Sequence, residues 1–539
     1  MDDELWTLCA AALAREPDAR PPDAAAFADE LAAWLEGVRS RARALHAGAQ
    51  ADTELGRAAA LRAEAAALRA EATALAAPLP PWAPEAEHHA AWRIEDRAAA
   101  VDVASALAEL AAERAAGAAL AAVPGLPEAH ATLADHHADA VRAAEARADT
   151  VAAARSLALL EVHAAALPAA HPARAGHLAF LRGDAAVTLV TEPPGAEVLL
   201  ERYVLRDRLL VAEPAGSLGT TPLRAAPLPA GSWRLRLRLD GRPDVLYPVQ
   251  VGRGEHWDGV PPGGGAPEPV WLPPEVPDGA VYVPAGPFRA GEPPSRPMRR
   301  LWCHALFVRV FPVTMAEHLA FLGALSPEEA ERWAPRVPFG RHGDGGAFLY
   351  PRDPDGRFVL GLEPDGDILR GDFPAFNVDW HGAVAHAAWL RRATGRPWRL
   401  PAELEWEKAA TGVDGRTYPW GEQPAAGRCN DRDATGARPR PSPVDAFPHD
   451  VSPYGVRGCA GTVRDWTADP WTPVWAGVDG DRVLPAPLDP PMPGEHAVGR
   501  GGAWPLAANR CDLRGRVDDR TDYRHPGVGY RLVCDVRPP

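Results

Sequence analysis

The chain has 539 residues, 47% hydrophobic and 24% charged, with a formal net charge of −15. That length exceeds what one hydrophobic core can serve and calls for several units, and the acidic balance argues against nucleic acid as a partner. No apolar run is long and charge-free enough to span a bilayer, no secretory signal opens the chain, and the six cysteines (Cys9, Cys303, Cys429, Cys459, Cys511, Cys534) lack any CxxC, so reduced thiols in the cytoplasm are expected.

Residues 1–37 read as a helical end piece. Leu5, Leu8 and Leu13 share one helical face, and Pro21–Pro22 break the helix because proline has no N–H to donate. Asp23 then caps a second helix bearing Phe27, Leu31, Trp34 and Leu35. The stretch "LAREPDARPPDAAAFADELAAWLEG" resembles the last two helices of bacterial serine/threonine protein kinases, in which the arginine of the turn, here Arg20, pairs with an upstream glutamate. The Gly-rich loop, HRD and DFG of such kinases are missing, and the single lysine, Lys408, stands in another context.

Residues 38–180 are Ala-rich with helical periodicity. Leu61, Leu68 and Leu75 stand seven apart as a short heptad seam that Pro78–Pro84 end, and further helices are expected at 90–122, 128–147 and 149–166. The histidines here (His130, His136, His137, His163, His171, His177) form no HxxxHxE or HExxH and read as solvated helix faces. The region suits a spacer or a self-association surface.

Residues 184–275 change to strand alternation. A turn at Pro193–Pro194–Gly195 separates two strands. Further on, Trp233, Leu235, Leu237 and Leu239 alternate with Arg234, Arg236 and Arg238. This pattern is similar to the PEGA domain, a small all-β module that is not catalytic. The arginine stripe reads as a solvated face, with an anionic partner as the alternative.

From Gly279 onward tryptophan is frequent, with eleven of the eighteen in the chain, which suits a loop-rich fold with aromatic cores. Asp379 is placed to cap a helix carrying Ala383, Ala387 and Leu390. Pro401 is placed in the first turn of a second helix, with Glu403, Glu405 and Glu407 near its positive end. Trp406, Trp420, Trp466 and Trp504 are expected in the core, and Arg531 beside a buried carboxylate. "GRGGAW" reads as a strand over Gly499–Trp504 that Pro505 breaks.

The blocks "VYVPAGPFRAG", "FVRVFPVTMAEHLAFL", "FPAFNVDWHGAVAHAAWLRRATGRPWRLPAELEWEKAATG", "YPWG", "SPYGVRGCAGTVRDWTAD", "GRGGAW" and "GVGYRLV" follow one another in this order. Together they resemble the formylglycine-generating enzyme (sulfatase-modifying factor) family over residues 279–536. The resemblance implies a C-type-lectin-like α+β fold, so that the whole chain reads as multi-domain: α-helical N-terminal region, small PEGA-like β domain, and this C-terminal domain.

The resemblance also implies site residues. Oxidases of the family hold Cu(I) between two cysteines after the glycine-rich strand and oxidise a cysteine in a CxPxR sulfatase peptide. Here Cys511 takes the second position and Leu506 the first, so two-thiolate copper binding is not expected and Cys511 is the one candidate catalytic residue. Arg510, Arg514 and Arg516 would activate its thiol if they faced it. Calcium is implied at Asn430, Asp431, Asp433, Thr462 and Asp465. A related route to iron-dependent sulfoxide synthesis requires the HxxxHxE that is missing here. The reading reached is a non-catalytic module that binds a peptide, protein or small ligand on a loop face with Asn509, Arg510, Arg514, Arg516 and Tyr523. The alternatives are a formylglycine-generating oxidoreductase and a regulatory or oligomerisation arm of a kinase.

Overall fold

A computed structural model describes residues 3–76, 84–147, 149–292, 296–337, 346–362, 366–436, 438–490, 492 and 494–536. The chain divides into two units, Met1–Asp184 and Ala185–Pro539.

The first unit is helical: α1 (Asp3–Ala12), α2 (Ala24–Ala76), α3 (Glu85–Ala122), α4 (Pro127–Ala146), α5 (Thr150–Ala166) and α6 (Pro172–Arg182). Asp23 caps α2, its Oδ1 accepting from the Ala26 amide at 2.8 Å. Nothing in the sequence stops α2 at residue 37, and the boundary placed there falls inside a continuous helix. Helix α2 runs antiparallel to α3, with Arg62–Glu109, Arg69–Asp102 and Arg97–Glu64 ion pairs crossing between them. The seam is built of alanine rather than leucine. Ala44, Ala51, Ala58, Ala65 and Ala72 of α2, seven apart, are buried, as are Ala91, Ala98, Ala112 and Ala119 of α3. Leu68 is buried, but Leu75 is 44% exposed. Small side chains let two helices approach closely over a long contact. The break expected over Pro78–Pro84 lies, up to residue 83, outside the described residues.

The turn arginine is placed, and the reading of the histidines as solvated is corrected. Arg20 donates locally to the Ala14 carbonyl at 2.7 Å, closing its own turn. His130, His137 and His177 are buried rather than solvated. His130 and His163 meet through their Nδ1 atoms at 3.0 Å, and His137 stacks on His163. Burial first, then the charges of His136, His163 and Arg155, hold His137 down at about 4.

In the second unit the N-terminal part is all β. A four-stranded sheet runs Leu209–Thr220, Glu197–Arg206, Gly231–Arg238, Val245–Val251 in spatial order. Trp233, Leu235 and Leu237 face the core, as the alternation requires. Their outward neighbours are not a free basic stripe, because Arg234 and Arg236 pair with Glu201 and Arg238 pairs with Asp244. A three-stranded sheet (Leu223–Pro227, Ala186–Leu189, His256–Trp257) and a short parallel ribbon (Thr191–Glu192 with Val270–Trp271) complete this part.

The C-terminal part adds α7 (Met315–Gly323), α8 (Pro327–Trp333), α9 (Trp380–Thr394), α10 (Glu403–Thr411) and three four-stranded sheets. One buried core runs from Val187 and Trp233 through Phe288 and Trp406 to Cys534. The β region is thus packed into the unit, and residue 275 does not separate two cores. Ser232 Oγ donates to Asp414 at 2.9 Å, and the Leu210 amide donates to the Trp420 carbonyl at 2.8 Å. Trp406, Trp420 and Trp466 are buried, while Trp504 is half-buried.

Candidate functional site

Local sequence rules set the frame of the site. Asp379 caps α9 by accepting from the Gly382 amide at 2.8 Å. Helix α10 starts at Glu403, with Ala402 as its cap residue, so Pro401 precedes the first turn instead of occupying it. All nine residues of α10 are buried. Its three glutamates are therefore held by arginines more than by the helix dipole: Glu403 by Arg516, Glu405 by Arg399, and Glu407 by Arg500. Arg531 donates to Asp465 at 3.0 Å and to the carbonyls of Val310 and Arg457, the carboxylate partner the sequence called for.

The glycine-rich strand covers His496–Arg500 and ends before Gly501, earlier than the sequence suggested. A Cβ on Gly502 would overlap the Ala460 carbonyl oxygen and the Cys511 backbone, so the second glycine serves close approach. The facing loop is pinned by Asp450, whose carboxylate accepts from the amides of Cys459, Ala460 and Gly461. Burial, opposed by those hydrogen bonds and Arg531, pushes Asp450 up to about 6.

Cys511 follows a short 3-10 turn, Ala508–Arg510, and is fully buried. Its Sγ lies 3.6 Å from the Ala507 carbonyl. The Arg432 amide donates to the Leu506 carbonyl at 2.7 Å, tying the loop after "YPWG" to this segment. That tie brings a residue the sequence reading passed over: the Cys429 thiol hydrogen-bonds to Cys511, with Tyr418 beside both. This hydrogen bond, then burial and the carboxylates of Asp450 and Asp431, push the Cys429 thiol upward and keep it protonated. The available signal was a cysteine immediately before Asn430. Leu506 packs against the main core.

The residues of the expected loop face have different partners. Asn509 and Arg510 are exposed. Arg514 donates to the Gly415 carbonyl. Arg516 is bound to Glu403 and the Thr472 carbonyl and lies over Trp471. Tyr523 stacks on His525 at 5.6 Å. Arg514 and Arg516 are thus bound to other groups.

Of the expected calcium donors, Asn430 lies with its backbone against Gly461, next to Thr462. Asp465 is taken by Arg531 and by Trp406 Nε1 at 2.8 Å. Asp431 accepts from the Asp433 amide, and the Asp433 side chain is exposed. Asn430 Oδ1 and Asp465 Oδ1 are buried without a partner, and Thr462 packs near Gly458. Among the described residues no three His, Cys, Asp or Glu side chains come together to hold a metal. Calcium at these residues is tested by melting: millimolar-order calcium, against EDTA, should raise the melting temperature, and an unchanged curve would remove the site.

Comparison with known proteins places this geometry. The model of the sulfatase-modifying factor enzyme 1-like domain matches residues 271–536. The formylglycine-generating enzyme of Thermomonospora curvata is 30% identical over 301 residues, covering 49% of this chain and 95% of that protein. Hercynine oxygenase of Mycolicibacterium smegmatis is 32% identical over 283 residues, covering 49% of this chain and 63% of that protein. Serine/threonine-protein kinase Pkn1 of Chlamydia trachomatis serovar L2 is 28% identical over 275 residues, covering 48% of this chain and 38% of that kinase. The chain thus spans less than two thirds of the oxygenase and of the kinase.

Proposed function

The chain belongs to the sulfatase-modifying factor enzyme 1-like family through residues 271–536, and from that premise we propose that this domain is a non-catalytic ligand- or protein-binding module of a kinase-linked bacterial signalling protein. One observation carries the reading. The family's thiol position, Cys511, is fully buried, and Arg514 and Arg516 are bound to other groups. A nucleophilic or metal-binding thiol needs access, and full burial in a packed core denies it. The kinase link rests on the kinase-like end piece at residues 1–37 and on the Pkn1 relatives. The β part is read as PEGA-like, a scaffold beside the module.

A second reading, the formylglycine-generating oxidoreductase, is favoured by one specific observation. Cys429 sets a second thiol beside Cys511, from a different loop than the one that lost its cysteine at Leu506. Cu(I) held between those sulfurs would supply oxygen activation. Incubating a CxPxR peptide with the protein separates the two readings, and no conversion is expected under the first.

The helical unit is proposed as the self-association arm. Val103, Leu107 and Leu110 of α3 are each at least 42% exposed and, spaced four and three apart, form an apolar stripe. Light scattering on the full chain is expected to give an oligomer that Leu107→Glu converts to a monomer. A monomer at all concentrations would remove this role.

A further inference from the structure

A cavity of about 780 Å³ opens in the second unit, where the short parallel ribbon meets the sheet containing Ala280–Val283 and Val533–Asp535. That size is within the range of small-molecule sites. It is remote in sequence and lining from Cys511. Its polar walls are Glu192, Glu268, His304 and Asp535, and its aromatic wall is Trp271 and Tyr282. The 485–488 segment, largely proline and aliphatic, closes another side.

The charges on these walls do not balance internally. The Glu192 and Glu268 side chains make no ion pair or hydrogen bond among the described residues. Asp535 gives one oxygen, Oδ1, to Arg399, whose other bonds go to Glu405 and the Leu400 carbonyl. His304 Nε2 lies 2.8 Å from the buried Glu405 carboxylate without a hydrogen bond to it. Among the described residues no lysine or arginine lines the cavity. Basic groups on neighbouring segments are committed: Lys408 to three backbone carbonyls, Arg396 to Glu275, and Arg391 to Asp489 and the Leu488 carbonyl. Trp271 is half-buried and held edge-on by Tyr282 at 6.0 Å, so its ring is fixed as a wall.

We infer that this cavity is a binding site for a small organic cation with an apolar body, an alkyl- or arylammonium or a guanidinium. The carboxylates would attract the charge, the indole face would take it by cation–π contact, and the proline-rich wall would cover the apolar part. An anion of the same shape would meet two unpaired carboxylates and be refused.

The test uses the full chain and calorimetric titration with phenethylammonium, agmatine and tetramethylammonium, with phenylacetate as the anionic control. Saturable binding of at least one cation, absent for phenylacetate and weakened by salt, is expected. The double variant Glu192→Gln/Glu268→Gln alters two exposed, unpaired side chains and should weaken binding roughly tenfold. Trp271→Leu keeps apolar bulk without the indole and should weaken it severalfold. The inference is overturned if none of the three cations binds at millimolar-order concentration, if phenylacetate binds equally well, or if the folded double variant binds as the natural protein does.

Discussion

Replacing Arg399 by alanine is expected to lower the stability of the second unit by about 3–5 kcal/mol, read as a shift of the denaturant midpoint. The guanidinium is completely buried, lies 2.7 Å from each oxygen of Glu405, and also holds Asp535. Removing it leaves a buried carboxylate without its cation, which costs far more than the pair itself contributes. Replacing both partners, as Arg399→Met/Glu405→Leu, should recover much of the loss because no uncompensated charge stays inside. If Arg399→Ala unfolds at the natural midpoint, the pair is not an organising element.

The same pair sets an acid dependence. Burial alone would raise Glu405, but Arg399, by charge and hydrogen bonding, and then His304 outweigh it and hold the carboxyl at about 2. The folded value is depressed below the unfolded one. The pair's contribution is therefore fully present above the ordinary glutamate range and is lost as pH falls from there toward about 2. Glu407 and Asp465 behave differently: both shift upward despite facing Arg500 and Arg531, because burial prevails there. In Arg399→Ala the acid transition should move to higher pH, since Glu405 would then lack its main stabilising charge.

What the sequence made legible is local. The Asp379 cap, the alternation of Trp233, Leu235 and Leu237, and the tryptophan core all follow from residues a few positions apart. The alanine seam was hidden because alanine carries little hydrophobic signal, although its seven-residue spacing was present. The continuity of α2 was obscured by reading a boundary from kinase likeness, where no breaker stands. The α10 glutamates were assigned to the helix dipole, yet Arg516 and Arg500 come from 113 and 93 residues away. The partner of Cys511 was missed for the same reason. Cys429 lies on a loop whose Arg432 amide binds the Leu506 carbonyl, a contact that neither segment signals by itself.

That thiol pair makes the central claim sharply testable. A binding module should not convert a CxPxR peptide, whereas an oxidase with its second sulfur relocated should. The most direct measurement is mass spectrometry of such a peptide after incubation with the full chain, copper, oxygen and a thiol reductant. The expected result is an unmodified peptide for the natural protein and for Cys429→Ser and Cys511→Ser alike. Formylglycine that appears with the natural protein and vanishes in either serine variant would contradict the account, and would identify Cys429 and Cys511 together as the working thiols.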